Sequence, residues 1–86
     1  MVKKKSLHVV TNDLDNLINR EIGRRMAVNG IKVLKSDIIA ELAETAGVGW
    51  DNVNMIKRGM VTPSLPVAIK IAQYFDLTVE DVFKLQ

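Results

Sequence analysis

Apolar residues recur along most of the chain at spacings of three and four positions, which is the period of an amphipathic α-helix. The first such stretch predicts a helix over about residues 13–29 that ends at Gly30. Its predicted N-cap is one of three consecutive polar residues, Thr11, Asn12 and Asp13. The preceding segment Leu7–Val10 is short and β-prone, which indicates either an edge strand or an anchor for the residues before it.

Two shorter periodic stretches lie on either side of Gly47. The first predicts a helix that begins after Ser36 as N-cap and ends at Gly47. The second predicts a helix from about Trp50 to Arg58, which Gly59 ends in the same way. A glycine just past a helix supplies the left-handed backbone turn at little cost.

Two further helices complete the pattern. Ser64 is the predicted N-cap of a fourth helix. The predicted buried stripe of that helix is Leu65, Ala68, Ile69, Ala72 and Phe75. Thr78 and Asp81 form a capping box for a short fifth helix that holds Val82 and Phe83. The chain is therefore predicted to be all-α, with five helices around one core.

The residues that flank the turn between the second and third helices predict how these helices pack. Val48, Val53 and Ile56 form an apolar stripe that can fold back onto the preceding helix. Ala43 faces the crossing, where a larger side chain would hold the two backbones apart. Two short helices joined by a tight turn containing glycine form a helix-turn-helix, here over about residues 37–58. The second helix of such a motif usually enters the major groove of DNA.

Composition favours one globular domain and excludes several classes of protein. The 86 residues are 48% hydrophobic and 26% charged, which suits a single domain with a buried core. There is no cysteine, no apolar run of membrane-spanning length and no signal-peptide pattern, so we expect a cytoplasmic protein that has no membrane contact. No metal-ligand cluster, glycine-rich phosphate loop or nucleophile elbow is present. We therefore expect no cofactor, no metal and no enzymatic activity.

The net charge of +2 conceals an uneven distribution. Residues 1–35 contain eight Lys and Arg against three Asp and Glu, a balance of +5, whereas residues 36–86 have a balance of −3. Residues 1–10 are interpreted as a basic arm ahead of a single domain over residues 11–86. A basic first part can approach phosphates while the acidic remainder faces away, although an uneven solvated surface would give the same balance.

From Leu42 to Phe83 the sequence resembles the Cro/repressor-type helix-turn-helix family, also called the XRE family. The residues that carry the resemblance are Leu42 through Val48, Val53, Ile56, Arg58, Gly59, Pro63 through Leu65, Lys70 through Ala72 and Thr78 through Phe83. The resemblance implies a compact five-helix, lambda-repressor-like DNA-binding domain with the helix-turn-helix at helices 2 and 3. The sequence departs from the family at Ile39, where a phosphate-contacting Gln is usual, at Lys57, where Glu is frequent, and in the long segment 29–36.

Helix 3 carries the candidates for contact with bases. Val53 and Ile56 must point inward, which leaves five residues on the outward side, at the N-terminus or towards a flank. These residues are Trp50, Asp51, Asn52, Asn54 and Met55. The resemblance implies that bases are contacted from the first turn and from the position of Met55. Asn can hydrogen-bond to adenine, Asp can accept from cytosine, and Met or Trp can pack on a thymine methyl group.

Some of these residues also have interpretations that involve no DNA. Trp50 can equally be a rim residue that covers the core. For Asp51, we favour compensation of the helix dipole in the first turn of helix 3. Arg24 and Arg25, on the exposed side of helix 1, can pair with Glu21 or with other carboxylates.

Contacts with DNA phosphates are predicted from basic and hydroxyl side chains near the helix-turn-helix and in the arm. The candidates are Lys3, Lys4, Lys5, Lys32, Lys35, Ser36, Lys57 and Arg58. Such contacts position a protein on the duplex without specifying the sequence. A solvated basic rim is the alternative interpretation of the same residues.

The end of the chain predicts contact with a second copy. Its short last helix carries more apolar residues than its own core contact should need. The candidate interface residues are Val79, Val82, Phe83 and Leu85. A homodimer would present two copies of helix 3 to a near-palindromic site, which increases specificity.

The predicted function is that of a sequence-specific, DNA-binding transcriptional regulator, acting as a repressor on double-stranded DNA, with helix 3 in the major groove. The alternative is a protein–protein interaction module, or an antitoxin-like protein that binds a regulatory partner, on the same scaffold. Ile39, Trp50, Met60 and Val61 are apolar where the family is often polar. If these four side chains are exposed together, they form a docking patch.

Overall fold

The computed structural model describes residues 10–85 of the chain, and all five predicted helices are present in it. They are α1 (Leu14–Asn29), α2 (Lys35–Ala46), α3 (Trp50–Lys57), α4 (Leu65–Tyr74) and α5 (Val79–Val82). The all-α prediction is confirmed. The predicted arm residues Lys3, Lys4 and Lys5 lie outside the described residues.

A small sheet joins the two ends of the described chain. Strand β1 (Val10–Asn12) pairs antiparallel with β2 (Phe83–Leu85), with Asn12 opposite Phe83. The backbone N–H of Asp13 also donates to the carbonyl oxygen of Val82 at 3.0 Å. Because Phe83 begins a strand, the prediction that it belongs to the fifth helix is wrong. Pairing with β1 provides hydrogen-bond partners for this part of the backbone, in place of a second turn of helix.

One apolar core holds the five helices together. Its largest fully buried side chains are Leu14, Ile18, Ile38, Leu42, Val53, Ile56, Ile71 and Val82. Helix α1 buries Leu14, Leu17 and Ile18 in this core, and Ile22 packs against it while only partly buried. The part of α1 beyond Ile22 must therefore be held by contacts other than core packing.

The turn between α2 and α3 has the geometry that the sequence predicts. Gly47 has φ of 73°, in the left-handed region that favours glycine. The N–H of Val48 donates to the carbonyl oxygen of Ala43 at 3.0 Å, and the Gly47 N–H donates to that of Glu44 at 3.3 Å. This pair of bonds is a Schellman motif, which satisfies carbonyl groups that the end of α2 would otherwise leave without partners.

The start of α2 differs from the prediction. Ser36 is not the N-cap, because the helix begins at Lys35 after Leu34. The N–H of Leu34 donates to the Asp37 carboxylate at 3.0 Å, and the Asp37 N–H donates back to the Leu34 carbonyl oxygen at 3.0 Å. The carboxylate thus organises this helix start in place of a serine hydroxyl, and Ser36 is left exposed on the first turn.

The predicted buried stripe of α4 is wrong at two positions. Ala68, Ile71 and Ala72 are buried, whereas Leu65 is 67% exposed and Ile69 is also exposed. Two apolar stripes with helical spacing overlap on this short helix, and periodicity alone does not distinguish between them. Packing against α2 and α5 selects the stripe that contains Ile71.

Candidate DNA-binding surface

Helix α3 presents the predicted base-contacting residues away from the core. Val53 and Ile56 are buried, as predicted. Since each residue of a helix turns by about 100°, Asp51 points most directly away from these two, with Asn54 and Met55 on either side of it. The exposed candidates are Trp50, Asp51, Asn52 and Met55, and Asn54 is half-buried. The helix therefore offers polar and apolar groups together on one outward face.

The four apolar departures from the family pattern do not form one exposed patch. Trp50 is 46% exposed and Met60 is 66% exposed. Ile39, by contrast, is buried in the core, and Val61 is partly buried against it. The exposed apolar side chains on and next to α3 are thus Trp50 and Met60 near its two ends and Met55 on its outward face.

Three of the predicted phosphate contacts are exposed around the helix-turn-helix. Lys32 lies in the segment between α1 and α2, Ser36 is in the first turn of α2, and Arg58 follows α3. No ion pair involves Lys32 or Arg58 within residues 10–85. Both cations therefore face solvent without a carboxylate partner among the described residues.

The other two lysines share one carboxylate. Lys35 Nζ lies 2.5 Å from Asp15 Oδ1, and Lys57 Nζ lies 3.4 Å from the same oxygen. The hydrogen bond from Lys35 lowers the pKa of Asp15 below its ordinary value, with a smaller contribution from Lys57, against the opposing effect of desolvation. The first turns of α1 and α2 and the last turn of α3 meet in this cluster. The sequence does not indicate it, because Asp15 is distant from both lysines in the chain.

Asn12 anchors the end of α3, a role that the sequence alone does not indicate. Its Nδ2 donates to the carbonyl oxygen of Ile56 at 2.8 Å, while its Oδ1 accepts from the N–H of Leu14 at 2.9 Å. Asn12 therefore supplies the side-chain oxygen at the start of α1, although Asp13 occupies the N-cap position. One amide group fixes α3 relative to α1, and only the folded chain brings these residues together.

The second half of α1 is held by an ion-pair network centred on Arg25. Its Nη1 and Nη2 donate to the Glu41 carboxylate at 2.8 and 2.7 Å, and its Nε donates to Glu21 at 2.7 Å. The Tyr74 hydroxyl donates to Glu41 at 2.5 Å. These bonds join α1, α2 and α4. Arg24 also pairs with Glu21. Both arginines therefore have carboxylate partners, which is the interpretation of Arg24 and Arg25 that involves no DNA.

The electrostatics of this network follow from its hydrogen bonds. Donation from Arg25, and then from Tyr74, lowers the pKa of Glu41 to about 2. Burial, and then the neighbouring Glu41 carboxylate, raise the pKa of Tyr74. At neutral pH, the network therefore contains an ionised Glu41 and a neutral Tyr74 hydroxyl that donates to it.

The predicted dimer contacts are only partly accessible. Val82 is 0% exposed and Phe83 is buried, so these side chains belong to the core of their own chain. Val79 is partly buried, and the side chain of Leu85 lies outside the described part of the structure. The prediction that this segment has surplus apolar surface is thus wrong at Val82 and Phe83.

A shallow apolar groove lies next to these residues. It has a volume of about 270 Å³. Its lining is Thr62, Pro63, Leu65, Ala68, Val79, Phe83 and Lys84. The largely exposed Leu65 at its edge places an apolar projection beside an apolar depression on one surface.

Residues 10–85 lack two features that mark other classes of protein. No helix there is long and apolar enough to cross a membrane. No group of three or more His, Cys, Asp or Glu side chains in that part of the chain could hold a metal ion.

Comparison with known proteins identifies the class that this geometry indicates. Residues 21–86 match the Cro/C1-type HTH DNA-binding domain, which covers most of the chain. The protein belongs to this family. Its scaffold is thus that of a helix-turn-helix DNA-binding protein, and membership points away from an enzyme.

Individual relatives agree with the family. The chain is 44% identical over 46 residues to the uncharacterized HTH-type transcriptional regulator YgzD of Bacillus subtilis, over 54% of this chain and 70% of that protein. It is 40% identical over 43 residues to an uncharacterized HTH-type transcriptional regulator of Methanocaldococcus jannaschii, over 50% of this chain and 65% of that protein. A protein of the same description from Archaeoglobus fulgidus is also 40% identical over 43 residues, with 61% of its length covered. The aligned region thus spans roughly two thirds of each relative.

Proposed function

We propose that this protein is a sequence-specific transcriptional regulator, acting as a repressor, that inserts α3 into the major groove of duplex DNA. The observation that carries the proposal is the outward face of α3. Asp51, Asn54 and Met55 lie on the side away from the buried Val53 and Ile56. These side chains can contact base edges and thymine methyl groups, while the inward pair holds the helix on its scaffold.

Cationic and hydroxyl groups lie on the parts of the chain that flank α3. Ser36 and Lys35 are at the start of α2, and Lys57 and Arg58 are at the end of α3. Such groups bind phosphates on the edges of a groove and fix the register of the helix between them. In this proposal, these residues supply affinity for the DNA backbone, and the outward face of α3 supplies the preference for particular bases.

A homodimer is part of this proposal. Because Val82 is inaccessible, the contact would be made through the groove beside α5, with Leu65 of one copy against Val79 of the other. A projection and a depression on the same patch are what a two-fold interface requires. Two-fold symmetry would place the half-sites about 34 Å apart, one turn of duplex DNA.

The second candidate function is docking of a regulatory protein, as in an antitoxin-like partner. The exposed Trp50 and Met60 favour it, since a large exposed aromatic residue suits a protein interface. The burial of Ile39 and Val61 weakens it, because the apolar patch that it requires is divided.

Selection of bound duplexes from random DNA, followed by competition binding, tests the proposal. Arg58→Ala should weaken specific and non-specific binding alike, whereas Asn54→Ala and Met55→Ala should change base preference by about 1–3 kcal/mol at single positions. Lys70→Ala, which removes an exposed cation from α4, is the matched control for Arg58. Absence of binding to any duplex at low salt would contradict the proposal and favour the docking function.

A further inference from the structure

We infer that Asp15 sets the strength and salt dependence of DNA binding by holding Lys35 and Lys57 in one cluster with a net charge of +1. The inference rests on the proposed function, in which both lysines contact phosphates. It adds an acidic residue on α1, outside the helix-turn-helix, to the residues that control affinity.

The geometry shows that the carboxylate is shared unequally. Lys35 Nζ is 2.5 Å from Asp15 Oδ1, and Lys57 Nζ is 3.4 Å from it, so one pair is tight and the other is loose. The Lys57 side chain is only 18% exposed and emerges from the last turn of α3 beside α1. Asp15 thus lies within reach of the group that the last turn of α3 would offer to a phosphate.

The chemistry makes Asp15 a competitor of the DNA backbone. A carboxylate and a phosphate are both anions that accept hydrogen bonds from an ammonium group. A lysine that is already paired with Asp15 attracts a phosphate less strongly. The cluster therefore neutralises fewer phosphate charges than two unpaired lysines would. The number of counterions released on binding falls accordingly.

A purely structural role would give a different result. Exposed ion pairs contribute little to stability, and this cluster is open to solvent, with half of the Asp15 side chain accessible. A structural ion pair should affect the melting temperature slightly and leave the salt dependence of DNA binding unchanged. The slope of binding against salt therefore separates the two roles.

The test is Asp15→Asn, which keeps the shape and an acceptor oxygen but removes the charge. We expect tighter binding to a selected duplex at 50 mM salt and a log–log salt slope steeper by about 0.9. The affinity of Asp15→Asn relative to the parent should therefore fall by about 3.5-fold between 50 and 200 mM salt, because a fourfold change in salt raised to the power of about 0.9 is about 3.5. Glu80→Gln removes the same charge from α5, where no lysine pairs with that carboxylate among the described residues, and should change the slope much less.

A second comparison links the effect to the lysines. In a Lys35→Met, Lys57→Met double variant, adding Asp15→Asn should leave affinity and slope nearly unchanged. Equal slope changes for Asp15→Asn and Glu80→Gln, weaker binding by Asp15→Asn, or an undiminished effect without the lysines would each overturn the inference. If circular dichroism shows that Asp15→Asn is unfolded, Asp15→Ser, which also suits a first helical turn, is measured in its place with the same expectations.

The outcomes also distinguish this inference from the proposed function. If the parent protein binds no selected duplex, both fail together. If the parent binds with a steep salt slope and Asp15→Asn behaves as Glu80→Gln does, then only the role of Asp15 fails.

Discussion

The two charge clusters on α1 differ in how completely their charges are matched. At the far end of the helix, Arg25 makes three hydrogen bonds to the carboxylates of Glu21 and Glu41, and Tyr74 donates a further bond to Glu41. In the first turn of the helix, the single carboxylate of Asp15 pairs with both Lys35 and Lys57, and its contact with Lys57 is the longer of the two. The first cluster uses its donors and acceptors within the chain, while the second leaves a positive charge unbalanced.

This difference separates a structural role from a binding role. Closed, bidentate pairing fixes three helices in place and leaves little for a ligand to exchange with. An open cluster with surplus charge can exchange its internal anion for an external one. The first cluster has two arginines against two carboxylates and is neutral, whereas the second has two lysines against one carboxylate. We therefore expect the first to contribute to stability and the second to retain charge for a ligand.

The largest expected effect is on the closed cluster. Glu41→Ala removes the acceptor of three hydrogen bonds and leaves the half-buried Arg25 with Glu21 as its one carboxylate partner and with the Tyr74 hydroxyl among the described residues. Because the Glu41 side chain is 43% exposed, the loss should be about 2 kcal/mol in the free energy of unfolding, short of the value for a fully buried pair. Urea unfolding measures it. Glu44→Ala, from the exposed side of the same helix, is the control, and an equal loss for both variants would contradict a locking role.

Acid should weaken the same cluster. The folded pKa of Glu41 is about 2, below its ordinary value of 4.5, so its contribution is complete above 4.5 and is lost as pH falls towards 2. Asp15, Glu21 and Asp81 also have lowered pKa values, so the informative quantity is the difference between parent and Glu41→Gln. The variant should show a shallower decline in stability over this range, and identical curves would contradict the assignment.

The sequence predicts the fold well wherever local rules decide. Apolar periodicity predicts the first four helices, the capping box of Thr78 and Asp81 predicts the fifth, and Gly47 predicts the left-handed turn between α2 and α3. The errors arise where a distant contact decides. Phe83 is in a strand because β1 pairs with it, and Ile69 is exposed because neighbouring helices select a different stripe of α4.

The candidate site divides in the same way. The outward positions of α3 follow from its buried pair, so the exposure of Met55 could be predicted. The partners of Lys35 and Lys57 could not, since a carboxylate on α1 is brought to them only by the packing of three helices. The sequence indicates a capping role for Asn12 but not its anchoring role, because its bond to Ile56 spans 44 positions of sequence.

A smaller effect is expected from the tyrosine of the closed cluster. Tyr74→Phe removes only the hydroxyl, while the ring keeps its edge-on contact with Phe75, whose centroid is 5.0 Å away. Glu41 retains Arg25, so the loss should be about 1 kcal/mol. Since the pKa of Tyr74 is raised, its contribution is present below the ordinary value and is lost in strong base, so parent and variant should converge there. If the stability curves of parent and Tyr74→Phe stay parallel at high pH, the Tyr74 hydroxyl does not contribute to the ion-pair network centred on Arg25.

The smallest effect on stability is expected at the open cluster. Asp15→Asn removes one exposed ion pair with Lys35 and a looser one with Lys57, and such pairs contribute about 0–1 kcal/mol. The unfolding midpoint in urea should therefore move far less than it does in Glu41→Ala, while the DNA-binding slope of the same sample changes. Salt provides the internal check, because screening should erase the small difference in stability at high ionic strength. A loss as large as that of Glu41→Ala would mean that both clusters lock α1 in place, and the contrast between them would fail.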